Sequence, residues 1–490
     1  MLGITTTNAR VGGYRGGISA EAKTIYNRII ADGGVSNLTR LNFFVKGLKA
    51  IYGDLANVPV CYDAHWIGYK LGSGTGATAG QAAAKLYSLT VAGDAVQATA
   101  ASQPLLLAHN GASSDNYWYG SGVSGNYCST PNASANQITG DIEIIARVKI
   151  TNPSTTQTII AKNVDGSNFS YWFGIGTPNN LRLIFSQNGI ITITATSTVA
   201  QPFSTTDIGY VKVTRTTSDG IVKFFTSTDG ITYTQLGANV ASTSGAMFNG
   251  NASVKIGAYD TANLFPFFGS IYRATISNSI GGAPVVDFNP ATYNASTSQT
   301  QWTSATGEVW TINTGTATTG YKGTIVDRVI VMSDGVDDNM ISTVNRANLL
   351  TQYLAVKPYI NDNTVDRTVI DANGTSFQNS ISLTSSLFYY VLNGFGGSKA
   401  ISNTINTLQI LAAISNAGVK NSLSKNNSGE VSDTYTPTPS SNGIFVFGKG
   451  NGAANGKSNV ILNTYIYINL ADNLTIQTST YNLLKTLNNL

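Results

Sequence analysis

The chain has 490 residues, of which 42% are apolar and only 11% charged, with 50 glycines, 24 tyrosines, 18 phenylalanines and a net charge of +4. An ordinary soluble domain carries roughly 25% charged residues. This composition therefore excludes a long charged helical protein, and the aromatic content excludes a disordered chain. Basic residues are scattered and form no stripe of the kind that binds nucleic acid electrostatically.

The opening stretch MLGITTTNARVGGYRGG has no apolar signal core, and no run approaches the ~18 apolar residues that span a bilayer. The expectation is a soluble protein made in the cytoplasm, without membrane insertion. Ser19 precedes Ala22, Ile25, Tyr26, Ile29 and Ile30 at helical spacing, with Glu21 in the first turn and Gly33 and Gly34 as the stop. A second helix carries Leu41, Phe44, Val45, Leu48, Ile51 and Tyr52 on one face and ends at Gly53. A third, weaker helix is expected over Gln81 to Leu86. Residues 1–85 thus read as a small helical module with a flexible arm at its start. Short amphipathic helices cannot bury their apolar faces alone. Leu41, Phe44, Leu48 and Tyr52 are accordingly candidates for anchoring a partner, and a homo-oligomer is expected.

From about residue 86 the period changes to two. Residues 142–150 alternate as a half-buried antiparallel strand does. Asp-Gly pairs at 219–220 and 229–230 predict a three-stranded meander over 210–236, with two-residue turns. Further strands are predicted at 171–175, 181–185, 190–196, 253–258 and 270–277. Many short strands without intervening helices mean a sandwich or barrel. SGVSGNYCST (121–130) and DGVDDNMIST (334–343) share the pattern [SD]-G-V-x-x-N-x-x-S-T. Each is followed by a β-prone segment, which predicts two copies of one sandwich. The second copy places strands near 353–360, 366–370, 386–392, 408–414, 444–448 and 461–468. A short amphipathic helix with Leu483, Leu484, Leu487 and Leu490 closes the chain. The segment 289–322 bridges the copies, and its part around Trp302 and Trp310 can supply the last strand of the first. The division expected is 1–85 for the helical module, 86–315 for the first sandwich and 316–490 for the second.

Catalytic patterns are weak. Glu143 lies in DIEII with Ile145 and Arg147 two and four residues on, so it lacks the paired carboxylates of glycoside hydrolysis and reads as a solvent-facing acid. No Gly-x-Ser-x-Gly elbow accompanies His65 or His109, which read as structural histidines. GSGTGATAG (72–80) lacks the Gly-Lys-Ser/Thr ending of a phosphate loop and reads as a connector. Cys61 and Cys128 are too few for a disulfide framework or a four-ligand zinc site and read as buried or reduced thiols. Asp334, Asp337 and Asp338 are placed closely enough to hold Ca²⁺. The matching stretch of the first copy has no carboxylate, so a conformational turn is the competing reading, and no cofactor is required. Aromatic residues cluster in NYWYG, SYWFG and LFPFFG. Trp118, Tyr119, Tyr171 and Trp172 are the candidates for stacking on sugar rings.

These features together resemble a known family. Gln103-Pro104-Leu105-Leu106 leading into SGVSGNYCST, the DGVDDNM of the second copy, and the closing segment GSIYRATISNSIGG resemble concanavalin A-like, laminin-G-like jelly rolls. Joined to a helical segment bearing LKAIYG (48–53), the combination is similar to virion proteins of tailed bacteriophages. The resemblance implies two tandem antiparallel β-sandwiches behind a helical anchor. It also implies a non-enzymatic head or tail appendage of a virion, assembled in the host cytoplasm. The helical module would bind other virion proteins and the sandwiches would adhere to host-surface polysaccharide. A capsid decoration protein and a sandwich-fold glycan hydrolase are the alternatives carried forward. A secreted adhesin would need an export signal or sorting tail.

Overall fold

A computed structural model describes residues 17–72, 82–110, 112–316, 320–334, 338, 340–342, 350–358, 367–371, 380–383, 387–391, 399–402, 407–416, 420–426, 428–433, 445–446, 460–468 and 474–488. The fold is mostly β, with antiparallel sheets in two face-to-face pairs and three α-helices among the described residues. Residues 72–80 apart from Gly72, and Asp337, lie outside the described residues.

The first sandwich is continuous in the chain. Sheet I runs through Ile221–Ser227, Gly209–Arg215, Ile142–Ile150, Phe268–Ser277, Tyr117–Ser121 and Thr324–Val326. Sheet II runs through Thr192–Ala200, Asn180–Ser186, Tyr171–Gly176, Gln157–Lys162, Val254–Ile256, Tyr127–Thr130, Val309–Asn313 and Gln301–Thr303. Alternation sends Ile142, Ile144, Ala146, Val148 and Ile150 inward against Tyr171, Phe173 and Ile175 of the facing sheet. Trp302 and Trp310 join that same core, so the bridge segment does complete the first sandwich.

The meander over 210–236 forms as predicted, but its turns differ. Arg215 pairs with Val222, leaving a longer loop than two residues. Gly220 and Gly230 take φ of 69° and 74°, while neither preceding aspartate is left-handed. Asp219 and Asp229 instead accept the N–H groups of Ile221 and Ile231, at 2.9 and 2.8 Å. Each side chain closes its own turn, so one left-handed residue suffices.

The second sandwich does not follow the expected division. Sheet III runs through Lys420–Lys425, Gln409–Asn416, Leu350–Pro358, Val460–Ile468, Ile330–Met332 and Leu105–Leu107, with Val60–Tyr62 also paired to Val460–Ile468. Sheet IV runs through Lys399–Ser402, Leu387–Val391, Ser380–Leu383, Arg367–Asp371, Phe445–Val446, Met340–Ile341, Ala95–Val96, Ala83–Leu86 and Tyr69–Leu71. Strands from 60–107 therefore complete a sandwich whose body begins at 330. The expected border at 85/86 falls inside a sheet, because Leu86 pairs with Ala95. Ala83–Leu86 is a strand and not the third helix. A four-residue segment with three apolar residues and Lys85 is compatible with either state, and pairing decides between them.

Apart from their ends, sheets I and III have the same strand order, and so do sheets II and IV. The ten-residue repeat marks one place in both. In each copy it carries the chain from a strand of one sheet (Tyr117–Ser121, Ile330–Met332) to a strand of the facing sheet (Tyr127–Thr130, Met340–Ile341).

The helices form a layer on sheet III. Helix α1 (Ala20–Ala31) is capped by Ser19, whose hydroxyl accepts the Ala22 N–H at 3.2 Å. Helix α2 (Leu38–Tyr52) is capped by Asn37 and stopped by Gly53 at φ 75°. Helix α3 (Leu474–Leu487) packs beside α2, where the Tyr52 hydroxyl and Thr480 Oγ1 lie 2.6 Å apart. Central strands of sheet III are buried on both faces. Tyr353 and Ala355 face the helices, and Leu354 and Val356 face the inter-sheet core. Leu41, Phe44, Leu48 and Tyr52 lie in this helix-covered cluster. Their apolar stripe, expected to anchor a partner, is covered by the chain's own sheet and by α3. The argument that these helices require another subunit is removed by the same contacts.

Candidate functional site

The four sugar-stacking candidates are buried. Trp118 lies in the first core with its ring against Gly120, Gly257 and Gly323. Tyr119 belongs to an apolar cluster between the two sandwiches. Tyr171 points into the first core. Trp172 faces the other side of sheet II but is covered there, donating from Nε1 to Thr158 Oγ1 at 2.8 Å. Contrary to the sequence expectation, none of these buried rings offers a face to a ligand.

Of the three aspartates of the second repeat, Asp334 and Asp338 are among the described residues. Asp338 is buried, and its Oδ2 accepts the Asp334 N–H at 2.8 Å and the Tyr321 hydroxyl at 3.2 Å. Among the described residues no group of three or more His, Cys, Asp or Glu is placed to hold a metal. Glu143 is buried and paired with Lys212 at 3.6 Å, not solvent-facing. Two neighbouring strands bring the cation across the sheet, which alternation along one strand cannot show.

What covers Trp172 is of more interest. Residues 259–265 cross the outer face of sheet II as a tight loop. Tyr259 and Leu264 exchange backbone hydrogen bonds of 2.9 Å in both directions. Lys255 reaches under the loop and donates from Nζ to the Asp260 carbonyl at 2.6 Å and to Asn263 Oδ1 at 2.8 Å. Its ammonium lies over the Tyr127 ring, 4.7 Å from the ring centre. Ser124 Oγ donates to the Asn263 carbonyl, and the Thr158 N–H donates to the Phe265 carbonyl. From the side, the Asp165 N–H donates to Asp260 Oδ1 at 3.0 Å, and the Tyr259 hydroxyl donates to the Asp165 carboxylate.

The backbone here is unusual. Among the described residues, five non-glycine residues have positive φ, and Asp260, Asn263 and Phe265 are three of them. Asparagine and aspartate tolerate this region, whereas an aromatic residue at φ 48° is an outlier. The loop presents Leu264 and Phe265 to solvent, 46% and 40% exposed, with the Phe265 ring 5.2 Å from that of Tyr259. Asp165 is exposed and Asp260 half-exposed beside them. Burial pushes the Asp260 carboxyl up, but the N–H groups of Asp165, Thr261 and Ala262 outweigh it and hold the group below the usual carboxylate range. Burial, then the bond to Asp165, pushes the Tyr259 hydroxyl up. The arrangement is an apolar ring face beside carboxyl hydrogen-bond acceptors, on a loop fixed at both ends and in the middle.

LFPFFG is an aromatic cluster of the sequence, yet none of its residues is among the four stacking candidates. Phe267 enters the first core and Phe268 packs between the sandwiches, so only Leu264 and Phe265 remain outside. The available sign was Pro266, which cannot continue a strand ladder, preceded by the turn formers Asp260 and Asn263.

A second polar centre lies where the sandwiches and helices meet. Asp63 is buried, with Oδ1 accepting the His65 and Trp66 N–H groups and Oδ2 accepting the Thr464 hydroxyl at 2.7 Å. His65 Nδ1 accepts the Val329 N–H at 3.2 Å and lies 2.8 Å from Arg40 Nη1. Arg328 donates to the Leu487 carbonyl and to Asn488 Oδ1. Burial pushes Asp63 up to about 6. Burial, then Arg328, Arg40 and His109, pushes His65 down to about 2. His65 is thus a neutral acceptor holding segments together, as the structural reading of the histidines implies.

No family model matches the chain, and no curated protein does. Among solved structures, domains LG4-5 of the mouse laminin alpha1 chain are 10% identical, covering 75% of this chain and 92% of that one at a TM-score of 0.29. The LG1-3 region of the laminin alpha2 chain is also 10% identical, covering 70% and 64% at 0.25. A Ruminococcus gnavus sialidase carbohydrate-binding module, bound to α2,3-sialyllactose, is 14% identical and covers 33% and 90% at 0.25. Scores this low carry no argument about chemistry. The sandwich architecture stands on the sheets described above.

Proposed function

We propose that this chain is a non-catalytic adhesion protein that holds neutral glycans on the 259–265 loop of its first sandwich. The ring of Phe265 would take the apolar C–H face of a sugar, and the carboxylates of Asp165 and Asp260 would accept its hydroxyls. The observation that carries this reading is Phe265 itself, held left-handed and exposed on a loop tied by Lys255, Ser124 and Thr158. Non-glycine residues in sparsely populated backbone regions cost about 1–3 kcal/mol each and persist where the surroundings over-determine them. A loop rigid before binding loses little conformational entropy on taking a ligand. Against a catalytic role for Glu143 stands its pairing with Lys212.

The setting is part of the proposal. The sequence resemblance supports a tailed-bacteriophage virion, with many weak sites per particle adding up through avidity. Binding of the intact chain to a panel of immobilised polysaccharides tests the reading. Wild type is expected to bind uncharged polysaccharide, and Phe265→Ala to lose at least about tenfold while its unfolding free energy moves by less than about 1 kcal/mol. Binding that survives this substitution would remove the loop from the reading. Binding to assembled capsids without any glycan binding would favour the decoration protein.

A further inference from the structure

The two sandwiches obtain the same structural part from different places. In the first, the strands Gln301–Thr303, Val309–Asn313 and Thr324–Val326 follow the body in the chain and close directly onto Tyr127–Thr130 and Tyr117–Ser121. In the second, the equivalent strands Ala83–Leu86, Ala95–Val96 and Leu105–Leu107 close onto Met340–Ile341 and Ile330–Met332, with the entire first sandwich intervening. Residues 105–107 are thus an arm donated to a distant body. The return path from the first sandwich is short: Val326 ends a strand of sheet I, Ile330 starts a strand of sheet III, and only residues 327–329 lie between.

We propose that this arm is a transferable strand donor, and that a second copy of this chain can supply it to the body beginning at residue 330. Exchange between copies would preserve every strand pair and alter only which chain contributes the arm. Closed and exchanged forms then differ in chain entropy, in the path of 327–329 and in the bonds that Arg328 and Val329 make there, while every strand pair is kept. Closure within one chain must bridge the whole first sandwich, so its advantage is an effective concentration and not an extra interaction. The first sandwich, contiguous in sequence, can close before the body of the second is available. During that interval the arm edge of Leu105–Leu107 has no partner strand in its own sheet, the condition under which edges pair between chains.

The test refolds the full chain from denaturant at about 1 μM and at about 100 μM, with oxidised glutathione present. Two double-cysteine variants report the pairing: Leu106→Cys with Val331→Cys, and Val96→Cys with Ile341→Cys, whose positions are opposed across the arm–body junction. The second pair guards against a folding defect in the first, because Val96 is 39% exposed. The expected result is a dimer fraction that rises roughly tenfold with concentration, carrying inter-chain disulfides at these pairs, while the monomer carries the same bonds within one chain. Chains that stay monomeric at both concentrations would overturn the proposal. So would dimers in which the disulfides remain intrachain.

Discussion

Asp63 offers the sharpest test of the junction between helices and sandwiches. Its carboxyl is buried and raised from 3.8 to about 6, mainly by loss of solvent and only partly offset by Thr464, the Trp66 and His65 N–H groups, and Arg328. A carboxyl raised in the folded state favours folding when protonated. Its contribution is fully present below pH 3.8 and is lost as pH rises through about 6. About two pKa units correspond to ~3 kcal/mol, of which ~2 kcal/mol falls between pH 4.5 and pH 8. Asparagine at this position keeps an oxygen for the His65 and Trp66 N–H groups and does not titrate. Urea unfolding of wild type and Asp63→Asn at both pH values gives the answer as a double difference, in which all other titrating groups cancel. Relative to wild type, the variant should gain ~2 kcal/mol on going from pH 4.5 to pH 8. A difference independent of pH would refute the claim that desolvation of this carboxyl dominates. A difference of the opposite sign would mean that Arg328 and Arg40 hold it ionised.

Other outcomes follow from packing. Leu48 is fully buried between α2 and its neighbours, so Leu48→Ala should cost about 2–5 kcal/mol in denaturant unfolding of the isolated chain, whereas an anchor for an absent partner would cost little. Gly257 has φ 78°, and a Cβ there would overlap the six-membered ring of Trp118. Gly257→Ala should therefore lower stability by about 2–5 kcal/mol, with a shifted Trp118 fluorescence maximum as the accompanying sign. An unchanged melting temperature would show that the ring can move aside.

The periodic elements could be read without coordinates because their cause is local. Period-two alternation over 142–150 reports a sheet face, and Ser19 and Gly53 report helix ends. The repeat was legible as well, and it marks the same sheet-to-sheet passage in both sandwiches. The sites were less accessible. Trp118, Tyr119, Tyr171 and Trp172 read as stacking platforms because an aromatic run does not reveal what covers its outward half. For Trp172 the surroundings include Tyr259 and Phe169, distant in the chain from one another. The exposed Phe265 depends on a backbone conformation imposed by Lys255, Ser124 and Thr158, and none of these is its sequence neighbour.

Composition and periodicity by themselves determined that this chain builds antiparallel sandwiches with short helices, because strand alternation and helix caps act over a few residues. Only the tertiary structure decided that residues 60–107 belong with residues 330–468, and that the helices lie on a sheet. Pairing energy is earned between backbones wherever they meet, and sequence distance enters only through the entropy of closing the loop.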